Sequence, residues 1–271
     1  MVKDKYFVVD AHCHIYPDKI AQKAADGTGN FYGIKMRHSG TVGEMLKNGE
    51  VAGIDHYLVH SVATTPHQVG SINGFIAEQV RLSGGRFTGF GSLHPDSEDI
   101  EGDFMHLLEL GLKGVKLHPD IQRFRINGKR SGIICKLCEE HNIPMLLHTG
   151  DSRYTYSNPE NLVPVLKEHK RLTVIGAHFG GWSMWETAVK ELADFENLYV
   201  DCSSSLYAMS PEAARRVVCA YGADRVLFGT DYPMWNASEE LERFFNIGLS
   251  DSDNKKILSE NAIGLLGLNK M

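Results

Sequence analysis

The sequence predicts a (β/α)8 barrel, a TIM barrel, that fills one domain over residues 1–271. Three observations predict this fold class. Short apolar runs rich in β-branched residues alternate with longer amphipathic segments, as in parallel strands joined by helical crossovers. Eight such units fit the roughly 250 residues that a barrel usually takes. No GxGxxG turn follows the first run, which disfavours an open, doubly wound sheet.

The eight predicted strands are short runs of mostly apolar residues. The first begins with the aromatic and β-branched residues YFVV, which are typical of a buried strand. In chain order, the strands are predicted over residues 6–14, 56–63, 87–95, 114–119, 144–150, 172–181, 198–205 and 226–233. Buried parallel strands are expected to be almost entirely apolar, so any polar residue within them needs an explanation.

Amphipathic segments between the strands predict helices. Three of them span residues 97–110, 209–222 and 250–267. Ser97 is the candidate N-cap of the first segment. In the second, Ser210 caps the helix, Pro211 occupies the first turn and Gly222 ends it. The last helix ends at Gly267.

The segment between the first two predicted strands, residues 15–40, is long and contains four glycines. Long loops over the mouth of a barrel often act as lids. The sequence therefore predicts a lid there.

Composition and charge exclude several classes of protein. The net charge is −6, the pI is about 6.1 and basic residues are scattered, so no nucleic-acid partner is expected. The apolar runs are too short to span a membrane, and the N-terminus lacks the apolar core of a secretory signal. Five cysteines, an odd number, favour a reducing cytoplasm, and Cys135 and Cys138 are read as helix packing.

Most predicted strands carry a titratable side chain near the C-terminal end. In a barrel these ends lie on one face, where catalytic groups gather. The residues are His12, His14, His94, Lys116, His118, His148, His178 and Asp231. Taken singly, a histidine here is often a hydrogen-bonded core residue. As a set, the residues indicate a functional site.

The pair His12 and His14 predicts a metal site. Alternate side chains of a strand share a face, so these two imidazoles lie on one side while Cys13 points away. Two neutral imidazoles on a rigid strand can chelate Zn²⁺ or a similar ion. An imidazole from His148 and a carboxylate from Asp231 would complete the ligands and leave one position for water. Asp231 could instead cap the turn that follows it.

Five motifs, in this order, carry a resemblance to a known family: DAHCHIYP, GVKLHP, LLHTG, GAHFGG and LFGTDYP. Together they resemble the amidohydrolase superfamily, and within it the amidohydrolase-2 branch with the relatives of aminocarboxymuconate-semialdehyde decarboxylase. The resemblance runs from the first predicted strand to the eighth. It implies a (β/α)8 barrel with a divalent metal at the C-terminal face.

The resemblance also implies roles for single residues. His12, His14 and His148 match the histidine ligands, and Asp231 matches the carboxylate that touches the metal and handles a proton. His178 matches the histidine that polarises substrate or moves protons. The branch is commonly mononuclear, so one ion per chain is expected. Zn²⁺ is the first choice, with Mn²⁺, Fe²⁺ or Co²⁺ as alternatives.

The first functional expectation is metal-dependent hydrolysis of an amide, lactone or ester of a small, carboxylate-bearing metabolite. The alternative is non-oxidative decarboxylation of a small unsaturated or aromatic acid on the same metal, and a third hypothesis is a binding module without catalysis. The expected substrate-binding residues are Lys116, His118, Arg153 and Trp182. By family resemblance, the chain is expected to form a homodimer.

Overall fold

A computed structural model of the protein describes residues 5–268. It contains one sheet of eight strands, whose neighbours follow chain order from β1 to β8. The strands are β1 (Val9–His14), β2 (His56–His60), β3 (Phe87–Ser92), β4 (Gly114–Leu117), β5 (Met145–Leu147), β6 (Val174–Gly176), β7 (Leu198–Asp201) and β8 (Val226–Leu227). The pairs from β3 to β7 are parallel.

The first strand also hydrogen-bonds the chain at and beyond the last strand. The amide of Ala11 donates to the Phe228 carbonyl at 2.9 Å, and that of His14 donates to the Tyr232 carbonyl at 2.7 Å. A sheet in chain order whose first strand bonds the segment just after its last strand is that of a (β/α)8 barrel, so the predicted fold class is confirmed.

Helices alternate with the strands. They are α1 (Ala21–Tyr32), α2 (Val42–Ala52), α3 (Val69–Leu82), α4 (Ile100–Glu109), α5 (Pro119–Gln122), α6 (Lys129–Glu140), α7 (Pro159–Glu168), α8 (Trp185–Leu192), α9 (Pro211–Tyr221), α10 (Ala237–Asn246), α11 (Asp251–Lys255) and α12 (Asn261–Leu266). Short 3-10 turns lie at Pro66–Gln68 and Ala223–Arg225, and a π-helical turn, Lys256–Glu260, joins α11 to α12.

The chain divides into two compact units. The first comprises the chain up to Val59, Gly85–Thr88 and the chain from Cys202 onward; the second comprises His60–Gly84 and Gly89–Asp201. Many strand residues in each unit are apolar and almost fully buried, for example Val9, Leu58 and Val226 in the first and Leu146 and Val174 in the second. The prediction of one domain over residues 1–271 stays a prediction.

All eight predicted strands are present, and each is shorter than predicted. His148, His178 and Asp231 lie one, two and four residues after the ends of β5, β6 and β8. His178 and Asp231 adopt φ values of 60° and 58°, which a β-strand does not allow. These three residues, which the sequence placed within strands, therefore lie in the segments that follow them.

One local expectation needs correction. Helix α4 is capped by Asp99, not Ser97: the Asp99 carboxylate accepts from the Gly102 amide at 2.8 Å, while the Ser97 hydroxyl donates to Asp103 at 2.5 Å. The glycine-rich segment 15–40 contains the twelve-residue helix α1, and its role as a lid stays a prediction. By contrast, the predicted cap of α9 is confirmed, since Ser210 accepts from the Ala213 amide.

The cysteines fit the packing interpretation. Cys135 and Cys138 lie buried in α6, and all five cysteines of the chain are free thiols. Among residues 5–268, no helix has both the length and the apolar character needed to cross a membrane.

Candidate metal centre

His12 and His14 lie beside Asp231 in the first unit. The Nε2 atoms of the two histidines are 3.3 Å apart, and they lie 3.4 and 3.5 Å from Oδ1 of Asp231. His12 and Asp231 are buried, and His14 is half-buried. Three donor atoms thus form a nearly equilateral triangle, as the shared face of β1 predicted.

The spacing of these atoms fits a small divalent cation. A tetrahedral ion with ligand bonds of about 2.0–2.1 Å separates its ligand atoms by about 3.3–3.4 Å. The three separations of 3.3, 3.4 and 3.5 Å match this value closely. Two imidazoles and one carboxylate are also the ligand types that zinc and manganese accept.

Asp10 and Ser203 hold this group in place. The Asp10 carboxylate accepts hydrogen bonds from the Thr230 amide at 2.9 Å and from the Thr230 hydroxyl at 2.6 Å. Thr230 directly precedes Asp231 in the sequence. Burial raises the pKa of Asp10 to about 6, although its hydrogen bonds lower it. Ser203 Oγ lies 3.3 Å from Nδ1 of His12, so the Nε2 of that ring is the one that faces Asp231.

His148 and His178 form a second group, in the second unit. Nε2 of His148 lies 3.1 Å from the Gly150 carbonyl, which can only accept a hydrogen bond. That contact assigns the proton to Nε2 and leaves the lone pair on Nδ1. Nδ1 of His148 lies 3.1 Å from Nε2 of His178. Nδ1 is therefore the nitrogen of His148 that carries the lone pair, and it faces His178.

The turn after β6 fixes His178. Its backbone amide donates to the Asp201 carboxylate at 3.1 Å, and the amide of Phe179 donates to the Asp201 carbonyl at 2.6 Å. Both His178 and Phe179 have positive φ, a conformation that costs energy in residues with a side chain. Such strain is common at functional sites, because surrounding contacts must enforce it.

His118 and Asp120 also approach His148 closely enough to suggest a shared ion. The rings of His118 and His148, however, are stacked at 3.9 Å with planes only 6° apart. The nitrogen lone pairs of two parallel rings lie in separate planes, so one ion cannot lie in both. Asp120 accepts from the Ser157 hydroxyl, and burial raises its pKa to about 6. This group packs around His148 and is not a separate metal site.

The predicted substrate-binding residues occupy different environments. Lys116 is completely buried in β4, and Nδ1 of His118 accepts from the Ile121 amide to cap α5. The guanidinium of Arg153 bonds both oxygens of Asp151, at 2.9 and 2.7 Å, and lies 5.4 Å from the Trp182 ring centroid. Asp151 neutralises the positive charge of Arg153. The substrate roles of all four residues stay predictions.

Several supporting residues were not identified from the sequence. Asp10, Ser203, Ser204 and Asp201 all contact the backbone or side chain of a predicted site residue. A signal was present: an aspartate stands two residues before His12, and the run DCSSS follows the seventh strand. Polar residues at the ends of buried strands could have drawn attention to them.

Known proteins resemble this chain in sequence. The family profile described as "Amidohydrolase" matches residues 9–268. A gamma-resorcylate decarboxylase from Polaromonas sp. strain JS666 is 30% identical over 122 residues, which covers 38% of this chain and 36% of that protein. The alignment thus spans little more than a third of the curated relative.

Solved structures share the fold over almost the whole chain. A 5-carboxyvanillate decarboxylase from Sphingomonas paucimobilis has a TM-score of 0.77 at 14% identity and covers 97% of this chain and 99% of that one. A dihydroxybenzoic acid decarboxylase from Polaromonas sp. JS666, with bound manganese and the inhibitor 2-nitroresorcinol, has a TM-score of 0.75 at 18% identity and covers 98% of both chains. At these identities the likeness shows the fold.

The family match includes β1 with its two histidines and every later strand to β8. It agrees with the resemblance carried by the five sequence motifs. The chain belongs to the amidohydrolase family, in its amidohydrolase-2 branch.

Proposed function

We propose that this protein is a metal-dependent, non-oxidative decarboxylase of a small aromatic carboxylic acid. The observation that carries the proposal is the similarity to gamma-resorcylate decarboxylase, at 30% identity, in a chain with three clustered metal-type donors. The two structural neighbours named above are also decarboxylases of aromatic acids. These comparisons favour decarboxylation over hydrolysis, which was the first expectation from the sequence.

His12, His14 and Asp231 would hold one divalent cation, and His148 is proposed as the further ligand. The spacing of the first three donors supports their part of the proposal. For His148 the support is family membership and the contact of Nε2 with the Gly150 carbonyl, which leaves the lone pair on Nδ1. Zn²⁺ was the first expectation, and the manganese in the dihydroxybenzoic acid decarboxylase makes Mn²⁺ an equal candidate.

Decarboxylation breaks the bond between the ring carbon and the carboxylate. The electron pair stays on the ring carbon, CO₂ leaves, and a proton must form the new C–H bond. When bound, the cation would fix the substrate oxygens and draw electron density from the ring. We assign the proton transfer to Asp231 and His178, the two titratable residues in the turns after β8 and β6.

Other residues would position the substrate. Trp182, half-buried after β6, offers an aromatic face on which a flat ring could stack. Arg153 lies beside that face and carries its charge in a pair with Asp151. Lys116 and His118 are retained as candidates for substrate contact. A small, planar acid is the substrate class that fits these side chains.

Elemental analysis tests the metal assignment first. Purified protein should contain about one zinc or manganese ion per chain, and the His12→Ala, His14→Ala double variant should contain none. A His148→Ala variant should bind the ion more weakly. Two tightly held ions per chain would contradict the mononuclear assignment. Absence of metal after incubation with each candidate ion would contradict the proposal itself.

Turnover tests the reaction. Protein reconstituted with Zn²⁺ or Mn²⁺ is incubated with gamma-resorcylate and with 5-carboxyvanillate, and CO₂ release is measured. We expect release from at least one aromatic acid, and none from the double histidine variant. Hydrolysis of a lactone or amide panel, without CO₂ release from any acid, would restore hydrolysis as the better assignment.

We also propose that the protein acts on a small molecule, without nucleic-acid or membrane partners, in the cytoplasm and as a homodimer. These statements rest on the composition and on family resemblance. Light scattering coupled to size-exclusion chromatography checks the last of them. A mass near 30.2 kDa, that of one chain, would contradict the homodimer.

A further inference from the structure

The two carboxylate oxygens of Asp231 have different surroundings. Oδ1 faces His12 and His14, as described above. Oδ2 lies 2.5 Å from Oγ of Ser204, in the turn after β7. Nε1 of Trp235 lies 2.8 Å from that same hydroxyl oxygen. A continuous chain of hydrogen bonds therefore runs from the indole to the carboxylate.

The direction of this chain is fixed by chemistry. An indole N–H can only donate, and an ionised carboxylate can only accept. The hydroxyl of Ser204 must therefore accept from Trp235 and give its single proton to Asp231. The sulfur of Met234, 3.3 Å from the same hydroxyl, is a weak acceptor and does not compete with a carboxylate.

Neighbouring residues hold the two hydrogen-bond donors, Trp235 and Ser204, in place. The Trp235 ring is stacked with Tyr207 at a centroid distance of 4.6 Å, and the Arg243 guanidinium lies 5.5 Å from the Trp235 centroid. Arg243 is in turn paired with the buried Glu240. Ser204 is fully buried at a φ of 45°, an unfavourable backbone conformation that brings its hydroxyl to Asp231. The orientation of the indole is thus set by its neighbours.

We infer that Ser204 and Trp235 are positioning residues for Asp231. By occupying Oδ2, they orient the carboxylate so that only Oδ1 is offered beside His12 and His14. The inference rests on the metal site of the proposed function and not on the reaction assigned to it. Hydrogen-bonding partners of ligating carboxylates typically change metal affinity by about 10- to 100-fold when they are removed.

Titration of metal-free protein with Zn²⁺, in competition with a chelator, tests the inference. Trp235→Phe keeps an aromatic ring but removes the N–H, and Ser204→Ala removes the hydroxyl. Each should weaken Zn²⁺ binding by about 10- to 100-fold. The matched controls are Trp185→Phe and Ser131→Ala. Ser131 is also buried, and its hydroxyl donates to the Arg125 carbonyl. The controls should bind Zn²⁺ as the wild type does.

The double variant shows whether the two residues act as one chain. Because Trp235 reaches Asp231 only through Ser204, the double variant should bind Zn²⁺ no more weakly than Ser204→Ala alone. Independent, additive losses would overturn the inference, as would unchanged affinity in both single variants. If Ser204 and Trp235 had only a structural role, the variants would lower the free energy of unfolding, and their effects on Zn²⁺ affinity would not show this non-additivity.

Tryptophan fluorescence emission provides a second test of the inference. This test can be carried out even if Ser204→Ala does not fold. Zn²⁺ binding at Asp231 should polarise the hydrogen bond from the indole and change its emission. The change should persist in Trp185→Phe and disappear in Trp235→Phe. An equal change in Trp235→Phe would overturn the inference. Because these titrations measure binding, a failure to decarboxylate any acid would contradict the proposed function alone.

Discussion

Gly229 lies so close to His12 that a methyl group on its Cα would stand 2.9 Å from the Cβ of His12. The same methyl would stand 3.3 Å from the Cβ of Ser203. Gly229 follows β8 and precedes Asp231 by two residues. The absence of a side chain at this position therefore allows the first and last strands to bring the three donor atoms together.

Gly229→Ala is expected to separate those donors. The added methyl must displace β1, which should lower the free energy of unfolding by about 1–3 kcal/mol. Zn²⁺ affinity should fall by at least about tenfold, since the ligand triangle is distorted. Urea unfolding and metal titration measure the two effects. Gly74→Ala, in α3 with open space around it, is the control and should not weaken metal binding. Unchanged affinity in Gly229→Ala would contradict this account.

Gly150 makes a similar close approach beside His148. It has a φ of 73°, and a methyl group on it would stand 2.6 Å from the Cα of Gly181, where only backbone is present. We expect Gly150→Ala to lower the free energy of unfolding by more than the roughly 1–2 kcal/mol of left-handed strain alone. Since the Gly150 carbonyl accepts from His148, metal affinity should also fall.

The control for this variant is Gly84→Ala. Gly84 has a φ of 63° and no atom near the position of an added methyl group, so it measures the backbone strain without the steric overlap. If both variants lost the same stability by urea unfolding, the close approach between Gly150 and Gly181 would have no energetic consequence.

Glu240 should make stability depend on pH. Burial raises its pKa from 4.5 to about 7, although Arg243 lowers it. Between these values the folded protein keeps a proton that the unfolded chain has lost. The free energy of unfolding therefore falls as the pH rises from about 4.5 to about 7. Glu240→Gln cannot lose this proton, so its stability relative to wild type should rise over that window by up to about 3 kcal/mol.

Urea unfolding at several pH values measures this difference. Glu242→Gln, at an exposed position of the same helix, is the control for the loss of a carboxylate and should show a much smaller change. A constant difference between Glu240→Gln and wild type from pH 4.5 to 7.5 would refute the prediction.

Asp10→Asn should weaken metal binding by removing support from residues next to the ligands. The carboxylate accepts from two groups of Thr230 and from the His12 amide, and an amide side chain has only one acceptor oxygen. We expect a loss of about 1–3 kcal/mol in unfolding free energy, together with weaker Zn²⁺ binding. Asp55→Asn removes a carboxylate that accepts from the Val8 amide, before the start of β1. That control should lose stability without losing metal affinity.

Patterns along the chain were enough to predict the fold class and the core of the candidate site. Apolar periodicity identified all eight strands, because burial on both faces leaves only apolar runs in parallel strands. The two-residue period of a strand placed His12 and His14 on one face. Local capping chemistry fixed the start of α9 at Ser210 and Pro211. All three inferences depend on residues close together in the chain.

Which atoms meet in the site depends on contacts between residues far apart in the chain. Ser204 reaches Asp231 across 27 residues, and Ser203 reaches His12 across 191. The choice of Nδ1 over Nε2 in His148 depends on where the Gly150 carbonyl points. The positive φ of Asp231 and His178 has no local signature, since neither is glycine. Such contacts arise when packing overrides local preference, so no short stretch of sequence encodes them.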